Sequence, residues 1–411
     1  MLRCLNRELL SKYNNDGLVS HTSEEQYNND GLVSHTSEEQ RKVEESVERC
    51  YEEIEGIVEN DNQAPHLLRD KHQKYLIRGL SQPLHQSFQC LDASRPWLTY
   101  WITHSLAILD LDSHLELNAI KIIKFLTNCK NREGGYGGGP QQISHLATTY
   151  AAVNALVTLC SESALKSINR QEIKKFIVEM KQNDGSFRMH SGGEIDIRGA
   201  YCAISVAKLL NLEDDDLFEN TPQWLLSCQT YEGGFGAAPG HEAHGGYTFC
   251  AVAALVLLNC LDSCNTKSLL KWVINKQHRY EGGFAGRTNK LVDGCYSFWE
   301  AAVLPIVHVF LAQKNPQLIP ANKWLFNQRA LQEYLLCCCQ EASGGLIDKP
   351  GKNRDYYHTC YCLSGLSIAQ NSLSSQLIVG PQENKVAPIH PLFNVRLDSV
   401  RFAKEYFTAN T

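Results

Sequence analysis

Residues 281–298 read EGGFAGRTNKLVDGCYSF, and residues 232–249, EGGFGAAPGHEAHGGYTF, follow the same frame. Each stretch opens with a glycine turn and reaches an aromatic residue seventeen positions later. The turn recurs at Glu133, Asp184 and Ser343, so its five starts lie 51, 48, 49 and 62 residues apart. A period of about 50 residues is typical of a helical-hairpin repeat rather than of an ordinary globular domain.

Each repeat continues with two helices of different character. In the third repeat, GGYTFCAVAALVLLNCL (245–261) is apolar on nearly all sides, whereas KSLLKWVINKQ (267–277) has a polar face. All-round apolarity predicts an inner helix, and a striped pattern predicts an outer one. Alternating inner and outer helices that curve far enough close into a barrel, with the glycines making the tight returns. We therefore predict an all-α fold, an α/α (α6-α6) barrel built from helical hairpins.

The N-terminal segment differs from the rest of the chain. Residues 13–26, YNNDGLVSHTSEEQ, recur letter for letter at 27–40. A polar tandem with little to bury predicts disorder. From Glu44 onwards, apolar residues fall at helix spacing, beginning with Val47 and Cys50. We expect a disordered tail over residues 1–43 and one barrel domain over residues 44–411.

Charge and cysteine content bear on several classes of function. The net charge of -6, from 39 basic and 45 acidic residues without a Lys/Arg block, gives no basis for nucleic-acid binding. Many of the sixteen cysteines lie in apolar helical runs, and no signal-peptide pattern is present. This favours reduced thiols used as small hydrophobes in a cytoplasmic protein. The longest apolar stretch, near 251–258, is too short for a transmembrane helix.

The repeat frame also locates polar residues at equivalent ends of the predicted inner helices. Counting back from each repeat's aromatic residue gives two slots, three and five residues earlier. These aromatic residues are Tyr150, Tyr201, Phe249, Phe298 and, eighteen positions after Ser343, Tyr361. The first slot holds Ala147, Arg198, Gly246, Cys295 and His358, and the second holds His145, Asp196, His244, Asp293 and Tyr356. Imidazole, guanidinium, carboxylate and thiol groups thus meet in one ring, which is where we expect the site.

Asp293, Cys295 and His358 form the first candidate set. Zinc accepts carboxylate, thiolate and imidazole, and three protein ligands with an open fourth position are typical of a catalytic zinc site. Taken singly, Asp293 could be a helix N-cap, Cys295 a buried small hydrophobe and His358 a hydrogen-bonded core histidine. The three together favour a metal site.

The second candidate set is an anion cradle around His244, Arg287, Lys290 and Tyr296. Gly245 and Gly246 allow close backbone approach at the start of an inner helix, whose N-terminal dipole favours negative charge. Mobile cations from the preceding turn suit a diphosphate. Solvated loop cations and a capping histidine are the alternative interpretation.

A third set consists of aromatic residues on the inner helices. They could simply fill a core, which is the usual role of such residues. Beside charged groups at one end of a cavity, however, they would suit a long apolar chain with a diphosphate head. The members are Trp97, Trp101, Tyr201, Tyr247, Trp299 and Tyr361.

Six long motifs resemble those of the β subunits of CaaX protein prenyltransferases, and among these the protein farnesyltransferase β-subunit family. They run in the family's order from about residue 44 to about residue 408. The motifs are RPWLTYW (95–101), EGGYGGGP (133–140), HSGGEIDIRGAYC (190–202), GHEAHGGYTFC (240–250), EGGFAGRTNKLVDGCYSFW (281–299) and GGLIDKPGKNRDYYHTCYCLSGLS (344–367).

The resemblance implies an α6-α6 barrel that joins an α subunit and alkylates the cysteine of CaaX proteins with farnesyl diphosphate. It implies one zinc ion on Asp293, Cys295 and His358, and magnesium near Asp348, with Lys349 and Lys352 beside it. It makes His244, Arg287, Lys290 and Tyr296 the diphosphate contacts. The isoprenoid wall would comprise Arg198, Tyr201, Tyr247, Cys250 and Trp299. The C-terminal carboxylate of the peptide would be held through water by His145, Glu194 and Arg198. The pocket for the peptide side chains would be formed by Trp97, Trp101 and Tyr357.

The choice of isoprenoid donor is the finer expectation. Bulky residues at Trp97 and Tyr361, with Asp348, resemble the farnesyl rather than the geranylgeranyl enzymes, whose β subunits share the barrel and the zinc site. A terpene cyclase would need aspartates facing the cavity, and the runs at 110–112 and 213–216 are expected elsewhere. A non-catalytic helical scaffold would not need a ligand-competent ring.

Overall fold

The described part of the chain is almost entirely helical. A computed structural model describes residues 33–58, 64–212, 216–314, 324–371 and 377–410. In chain order its helices are α1 (His35–Val58), α2 (Arg69–Ser81), α3 (Arg95–Ile108), α4 (Asp112–Asn128), α5 (Leu146–Thr158), α6 (Glu162–Lys166), α7 (Arg170–Met180), α8 (Ile197–Leu210), α9 (Thr221–Ser227), α10 (Gly245–Leu257), α11 (Thr266–Ile274), α12 (Tyr296–Trp299), α13 (Val303–Lys314), α14 (Gln328–Cys338), α15 (Tyr356–Asn371) and α16 (Leu397–Ala409). There are short 3-10 segments at Gln86–Ser94, Leu261–Ser263 and Gln382–Asn384, and a hairpin of β1 (Ile389–His390) and β2 (Val395–Arg396). Over these described ranges, no helix is long and apolar enough to cross a membrane.

Apolar helices form a closed inner ring. The ring runs through α3, α5, α8, α10, the α12–α13 pair and α15; each unit packs against the next, and α15 returns to α3. Helix α10 is buried continuously from Thr248 to Leu255, because its sequence is apolar on every side. The prediction of an α/α barrel is confirmed.

Amphipathic helices surround this ring. Helices α2, α4, α7, α9, α11 and α14 each pack against an inner helix. In α11 the buried residues are Leu269, Trp272 and Val273, at the spacing of one helix face. The inner and outer assignment made for the third repeat is therefore correct.

The glycine turns join consecutive repeats through close backbone contacts. Gly282 and Gly344 have φ values of 84° and 95°, in the left-handed region. A Cβ atom on Gly282 would lie 2.5 Å from the carbonyl oxygen of Ala330, on the next outer helix. A Cβ atom on Gly344 would lie 2.1 Å from the carbonyl oxygen of Lys71, on α2. Since α2 lies at the start of the barrel, the fifth turn closes the circle.

The C-terminal hairpin closes one end of the ring. It enters beside the C-terminal end of α3, where Ala387 N donates to Ile108 O at 2.9 Å. Its tip accepts hydrogen bonds from three inner-ring phenols, which run from Tyr100 to Asn394 O (2.6 Å), Tyr150 to Phe393 O (3.1 Å) and Tyr201 to Leu392 O (2.9 Å). The polar residues of the predicted site lie at the other end, near the N-termini of the inner helices, whereas Tyr201 of the predicted aromatic set contacts the hairpin.

Helix α1 begins nine residues before Glu44. Ser34 and Ser37 cap it reciprocally, since each backbone N–H donates to the other hydroxyl, at 3.0 and 3.2 Å. Gln40 Nε2 then donates to Glu281 Oε1 at 2.8 Å on the barrel. The predicted tail over 1–43 is thus too long at its C-terminal end, because polarity alone does not reveal a docking partner. Residues 1–32 of that tail lie outside the described residues.

The cysteines of the described ranges are free thiols. In the Cys337–Cys339 triplet, Cys338 and Cys339 are buried and Cys337 is half-buried. This distribution agrees with the expectation that the cysteines act mainly as small apolar residues.

Candidate metal and anion site

Asp293, Cys295 and His358 converge at the open end of the ring. Their ligand atoms all lie within 4.8 Å of one another, and Asp293 Oδ1 is 3.4 Å from His358 Nε2. Asp293 and Cys295 lie in the turn before α12, whereas His358 is in the first turn of α15. The turn can approach α15 because position 294 is glycine: a Cβ there would be 2.6 Å from Cys362 Sγ.

The carboxylate of Asp293 is held by its own turn. Its Oδ1 accepts a hydrogen bond from Cys295 N at 2.8 Å. The N-cap of α12 is Cys295 and has no side-chain capping bond, so the alternative interpretation of Asp293 as a helix N-cap is wrong. The bond to Cys295 N orients the carboxylate beside the buried thiol.

His358 directs its Nε2 atom to this cluster. Its Nδ1 lies 2.7 Å from Asp355 Oδ2, and a carboxylate can only accept there, so Nδ1 carries the proton. Asp355 Oδ1 also accepts from His358 N at 2.7 Å and caps α15. A carboxylate behind a histidine is the usual outer partner of a metal-binding imidazole. Sequence reasoning missed Asp355, although an aspartate three residues before a histidine at a helix start is a recognisable signal.

The ionisation of the cluster favours a bound cation. Burial raises the pKa of the Cys295 thiol well above its usual value, and the adjacent Asp293 raises it further. Burial alone would raise the pKa of Asp293, but its hydrogen bond and charge pairing with His358 outweigh burial and lower it. Burial lowers the pKa of His358, yet bonds to Asp293 and Asp355 raise it to about 10. A thiolate here needs a neighbouring positive charge, which a metal ion supplies.

His244 presents the opposite tautomer. It is the N-cap of α10, and its Nδ1 accepts a hydrogen bond from Gly246 N at 3.0 Å. Nε2 therefore carries the proton in the neutral ring, and it lies 3.0 Å from Tyr296 Oη. Burial and the charge of Arg287 lower the pKa of His244, which keeps it neutral at pH 7. His244 is thus a hydrogen-bond donor suited to an anion.

The remaining members of the predicted cradle surround this pair. Arg287 forms an ion pair with Glu242 at 2.9 Å, and Lys290 is exposed. Tyr296 reaches His244 because residue 286 is glycine, where a Cβ atom would be 2.0 Å from the Tyr296 ring. The need for Gly286 was not apparent from the sequence.

A second group of possible ligands lies near the N-terminus of α5. His145, His190 and Glu194 also have ligand atoms within 4.8 Å of one another. However, His145 Nδ1 accepts a hydrogen bond from Ala147 N at 3.1 Å, so its Nε2 is a donor. Arg198 Nη2 lies 3.9 Å from Glu194 Oε1 and opposes a second cation. This group suits a carboxylate better than a metal.

Arg198 is held in place by Asp196. Its Nε and Nη2 donate to the two carboxylate oxygens of Asp196 at 3.0 and 2.6 Å. Asp196 caps α8 through Arg198 N at 2.9 Å and is buried. Half of the Arg198 side chain remains exposed, so the guanidinium can still contact a ligand.

The predicted aromatic residues form a continuous network within the ring. Tyr201 and Tyr361 are buried, whereas Trp97, Trp101, Tyr247, Trp299 and Tyr357 are half-buried. Tyr201 is therefore partly a core residue, as the alternative interpretation had it, while Cys250 beside it is 5% exposed. Trp299 Nε1 donates to Tyr357 Oη at 3.1 Å. The ring contacts include Trp97 with Trp101 (5.7 Å), Trp101 with Tyr357 (5.5 Å), Tyr357 with Tyr361 (4.8 Å), Trp299 with Tyr361 (4.5 Å) and His244 with Tyr247 (5.0 Å).

Asp348 adjoins the metal-competent cluster. Its backbone carbonyl accepts from Gly294 N at 2.7 Å, which ties it to the turn between Asp293 and Cys295. Its carboxylate is paired with Lys349, while Lys352 is exposed.

Comparison with known proteins agrees with this geometry. The Prenyltransferase alpha-alpha toroid domain matches residues 67–395. A protein farnesyltransferase subunit beta of Pisum sativum is 44% identical, over 76% of this chain and 89% of that protein. The Saccharomyces cerevisiae protein of that description is 39% identical, over 89% of this chain and 87% of its own length. The structure of Candida albicans protein geranylgeranyltransferase-I complexed with GGPP has a TM-score of 0.68 and 25% identity, covering 84% of this chain and 100% of that chain.

These matches define the class of the protein. The chain is a protein prenyltransferase with the α–α toroid fold. Within that class it belongs to the protein farnesyltransferase β-subunit family, as its motifs predicted.

Proposed function

We propose that this chain is the β subunit of a zinc-dependent protein farnesyltransferase. With an α subunit, it would transfer the farnesyl group of farnesyl diphosphate to the cysteine thiol of C-terminal CaaX motifs. One observation carries the proposal: the group that could bind a metal ion (Asp293, Cys295 and His358) adjoins the group that could donate hydrogen bonds to an anion (His244 and Tyr296). Cys295 belongs to the first, and the next residue, Tyr296, lies 3.0 Å from His244 in the second.

The donor set of Asp293, Cys295 and His358 fits zinc. Carboxylate, thiolate and imidazole are all zinc ligands, and three of them leave one position for substrate. Bound zinc would lower the pKa of a substrate thiol, so that a thiolate is available at neutral pH. Asp355 would keep the His358 lone pair directed to the ion.

The cradle residues would hold the departing diphosphate. His244 Nε2–H and Tyr296 Oη–H would donate to its oxygens, and Arg287 and Lys290 would balance its charge together with a cation from the α subunit. Gly246 would let the helix N-terminus approach it. No protein general base is required, since the leaving group needs charge stabilisation rather than a proton.

Magnesium would be held between the diphosphate and the chain. This ion typically binds through one or two carboxylates together with substrate phosphates. Asp348, whose backbone is tied to the turn of Asp293 and Cys295, would supply one carboxylate, and Lys352 lies near it in sequence.

The peptide would occupy the part of the mouth between α5 and α15. Arg198, with His145 and Glu194, would hold its C-terminal carboxylate through water, and Trp97, Trp101 and Tyr357 would contact its side chains. The isoprenoid would lie along Arg198, Tyr201, Tyr247, Cys250 and Trp299. Trp97 and Tyr361 would limit the length of the isoprenoid, which favours farnesyl. The compartment proposed for this reaction is the cytoplasm.

The competing functions have less support. An Arabidopsis thaliana geranylgeranyl transferase type-1 subunit beta is 35% identical over 57% of this chain, a weaker match than the farnesyl relatives. Against a terpene cyclase, Asp110 and Asp112 pair with Arg396 at 3.5 and 3.0 Å near the end closed by the hairpin. Residues 213–215 of the other acidic run lie outside the described residues. A non-catalytic scaffold would not require the His358 and Asp355 pairing.

A donor competition assay tests the proposal. The chain would be co-expressed with a candidate α subunit and given farnesyl and geranylgeranyl diphosphates in equal amounts, with a CaaX peptide. We expect mainly farnesyl thioether, and none with a peptide whose cysteine is replaced by serine. Preferential geranylgeranyl transfer would support the related β subunit, and isoprenoid products formed without peptide would support a cyclase.

A further inference from the structure

The carboxylate of Asp348 is already engaged by a cation of the chain. Lys349 Nζ lies 2.5 Å from both Asp348 Oδ1 and Asp348 Oδ2, so one ammonium group spans the carboxylate. The Lys349 side chain is 10% exposed and that of Asp348 is 18% exposed. The pair is therefore largely removed from solvent, unlike the exposed Lys352 three residues later.

The backbone around the pair is fixed by two hydrogen bonds. Asp348 O accepts from Gly294 N at 2.7 Å and from Tyr334 Oη at 3.0 Å. The position of Asp348 is thus tied to the turn that carries Asp293 and Cys295. The lysine stem, in contrast, is flexible and can leave the carboxylate without movement of the backbone.

Magnesium needs the same oxygen atoms. It binds oxygen at about 2.0–2.1 Å in near-octahedral geometry and tolerates little distortion. An ammonium group that spans both carboxylate oxygens occupies the lone pairs directed between them, so an incoming ion has to compete with it for this carboxylate. The two cations would also repel each other at this separation.

We propose that Lys349 is the resident counter-ion of Asp348 and that magnesium reaches this carboxylate only by displacing it. Lys349 thereby sets the magnesium concentration that the reaction needs. This inference rests on the proposed function, in which the ion arrives with the diphosphate. Lys349 acts through Asp348 and is a positioning residue, not a catalytic one.

The test compares two substitutions in the heterodimer. Lys349→Met removes the charge and keeps an unbranched stem, whereas Lys349→Arg keeps a cation that can span the carboxylate. We expect Lys349→Met to lower the half-saturating magnesium concentration for farnesyl transfer roughly fivefold, the effect that a partly buried ion pair of ordinary strength supports. Lys349→Arg should stay close to wild type. Zinc content and farnesyl diphosphate binding would verify that each variant is folded.

A double-mutant cycle and a binding measurement complete the test. In an Asp348→Asn background, Lys349→Met should leave the magnesium dependence unchanged. Manganese binding in the presence of a non-reactive farnesyl diphosphate analogue, followed by electron paramagnetic resonance, should tighten in Lys349→Met by the same factor. This readout does not depend on turnover, so it decides the inference even if transfer is absent and the proposed function fails.

The opposite results would overturn the inference. If Lys349→Met leaves the half-saturating concentration and manganese binding unchanged, Lys349 does not compete with the metal ion. If Lys349→Met raises the half-saturating magnesium concentration or weakens manganese binding, Lys349 assists the diphosphate directly. If Asp348→Asn alone leaves magnesium dependence at the wild-type value, the ion binds elsewhere and both the magnesium assignment and this inference fail, while zinc-dependent transfer stands.

Discussion

His145, His244 and His358 occupy similar positions at the starts of inner helices, yet they present different atoms to the open end of the ring. His145 and His244 cap their helices through Nδ1, which leaves Nε2–H as a donor. Helix α15 is capped by Asp355 instead, so His358 Nδ1 is a donor to Asp355, and Nε2, 3.4 Å from Asp293 Oδ1, is the atom that can bind a metal ion once it loses its proton. The choice of capping residue thus separates the histidines that are suited to an anion from the one that is suited to a metal ion.

Asp355 gives a testable prediction about a single residue. Asp355→Asn keeps an oxygen that can cap α15 but removes the charge behind His358. We expect the zinc dissociation constant to rise by about 10- to 100-fold, which is typical when an outer partner of a metal ligand is lost. Competition with a chelator measures it. Asp398→Asn, at the start of α16, is the control, and equal zinc affinity in both variants would contradict the role given to Asp355.

The sequence indicated the ligand types but not their supports. Asp293, Cys295 and His358 could be predicted because the repeat frame aligns them and their chemistry is distinctive. The need for glycine at position 286 and the position of His190 depend on distances between segments that are far apart in the sequence. The contact of Lys349 with Asp348 depends on side-chain rotamers. A repeat frame carries no information on either.

At the scale of elements, the glycine turns can be tested with a matched pair. Gly282 and Gly192 both have positive φ, at 84° and 73°, but only Gly282 faces a neighbour, the Ala330 carbonyl. Gly192→Ala should cost about 1–2 kcal/mol from backbone strain alone. Gly282→Ala should cost roughly 1–3 kcal/mol more because of the clash. Urea unfolding measures both, and equal losses would show that contact between repeats does not matter.

The closure of the ring predicts a dependence on pH. His72 on α2 accepts from Gly345 N at 2.9 Å, and burial lowers its pKa to about 4. An unfolded histidine titrates near 6.5, so stability present above that pH is lost as pH falls towards 4. The loss is about 3 kcal/mol for this group. Urea unfolding between pH 7 and 4 should show a weaker dependence in His72→Gln; an unchanged slope would assign the effect to other groups.

Two features of the secondary-structure elements could not be predicted from the sequence, for physical reasons. Helix α1 starts early because Gln40 finds Glu281, a tertiary contact that local polarity does not reveal. The fifth inner helix is interrupted between α12 and α13, because Pro305, in the first turn of α13, cannot donate to Ala301 O. The proline was visible in the sequence, but its effect on one inner helix was not predicted.

For the whole molecule, the inner ring and the C-terminal hairpin together limit the space inside the barrel. The hairpin tip is fixed by Tyr100, Tyr150 and Tyr201, and Trp97 packs 5.7 Å from Tyr150. The repeats predicted the ring. They did not predict the hairpin, because its residues lie outside the repeat frame and bind through backbone carbonyls.

This packing gives a prediction about the length of the isoprenoid donor that the enzyme prefers. Trp97→Thr should enlarge the cavity and raise the preference for geranylgeranyl over farnesyl diphosphate by at least about tenfold, since each added apolar group contributes on the order of 1–3 kcal/mol. Trp97→Phe, which keeps a ring, should change the ratio much less. The ratio of kcat/KM values for the two donors is the measurement. An unchanged ratio in Trp97→Thr would mean that another residue limits the chain.

The central claim is that Cys295, with Asp293 and His358, holds a zinc ion beside the diphosphate cradle. Zinc content and farnesyl diphosphate binding of the purified heterodimer test it most directly, in wild type, Cys295→Ala and Cys228→Ala. The thiol of Cys228 is equally buried but is not part of the ligand cluster. We expect one zinc per heterodimer in wild type and Cys228→Ala, and almost none in Cys295→Ala, with donor binding retained. Stoichiometric zinc and normal turnover in Cys295→Ala would contradict the account.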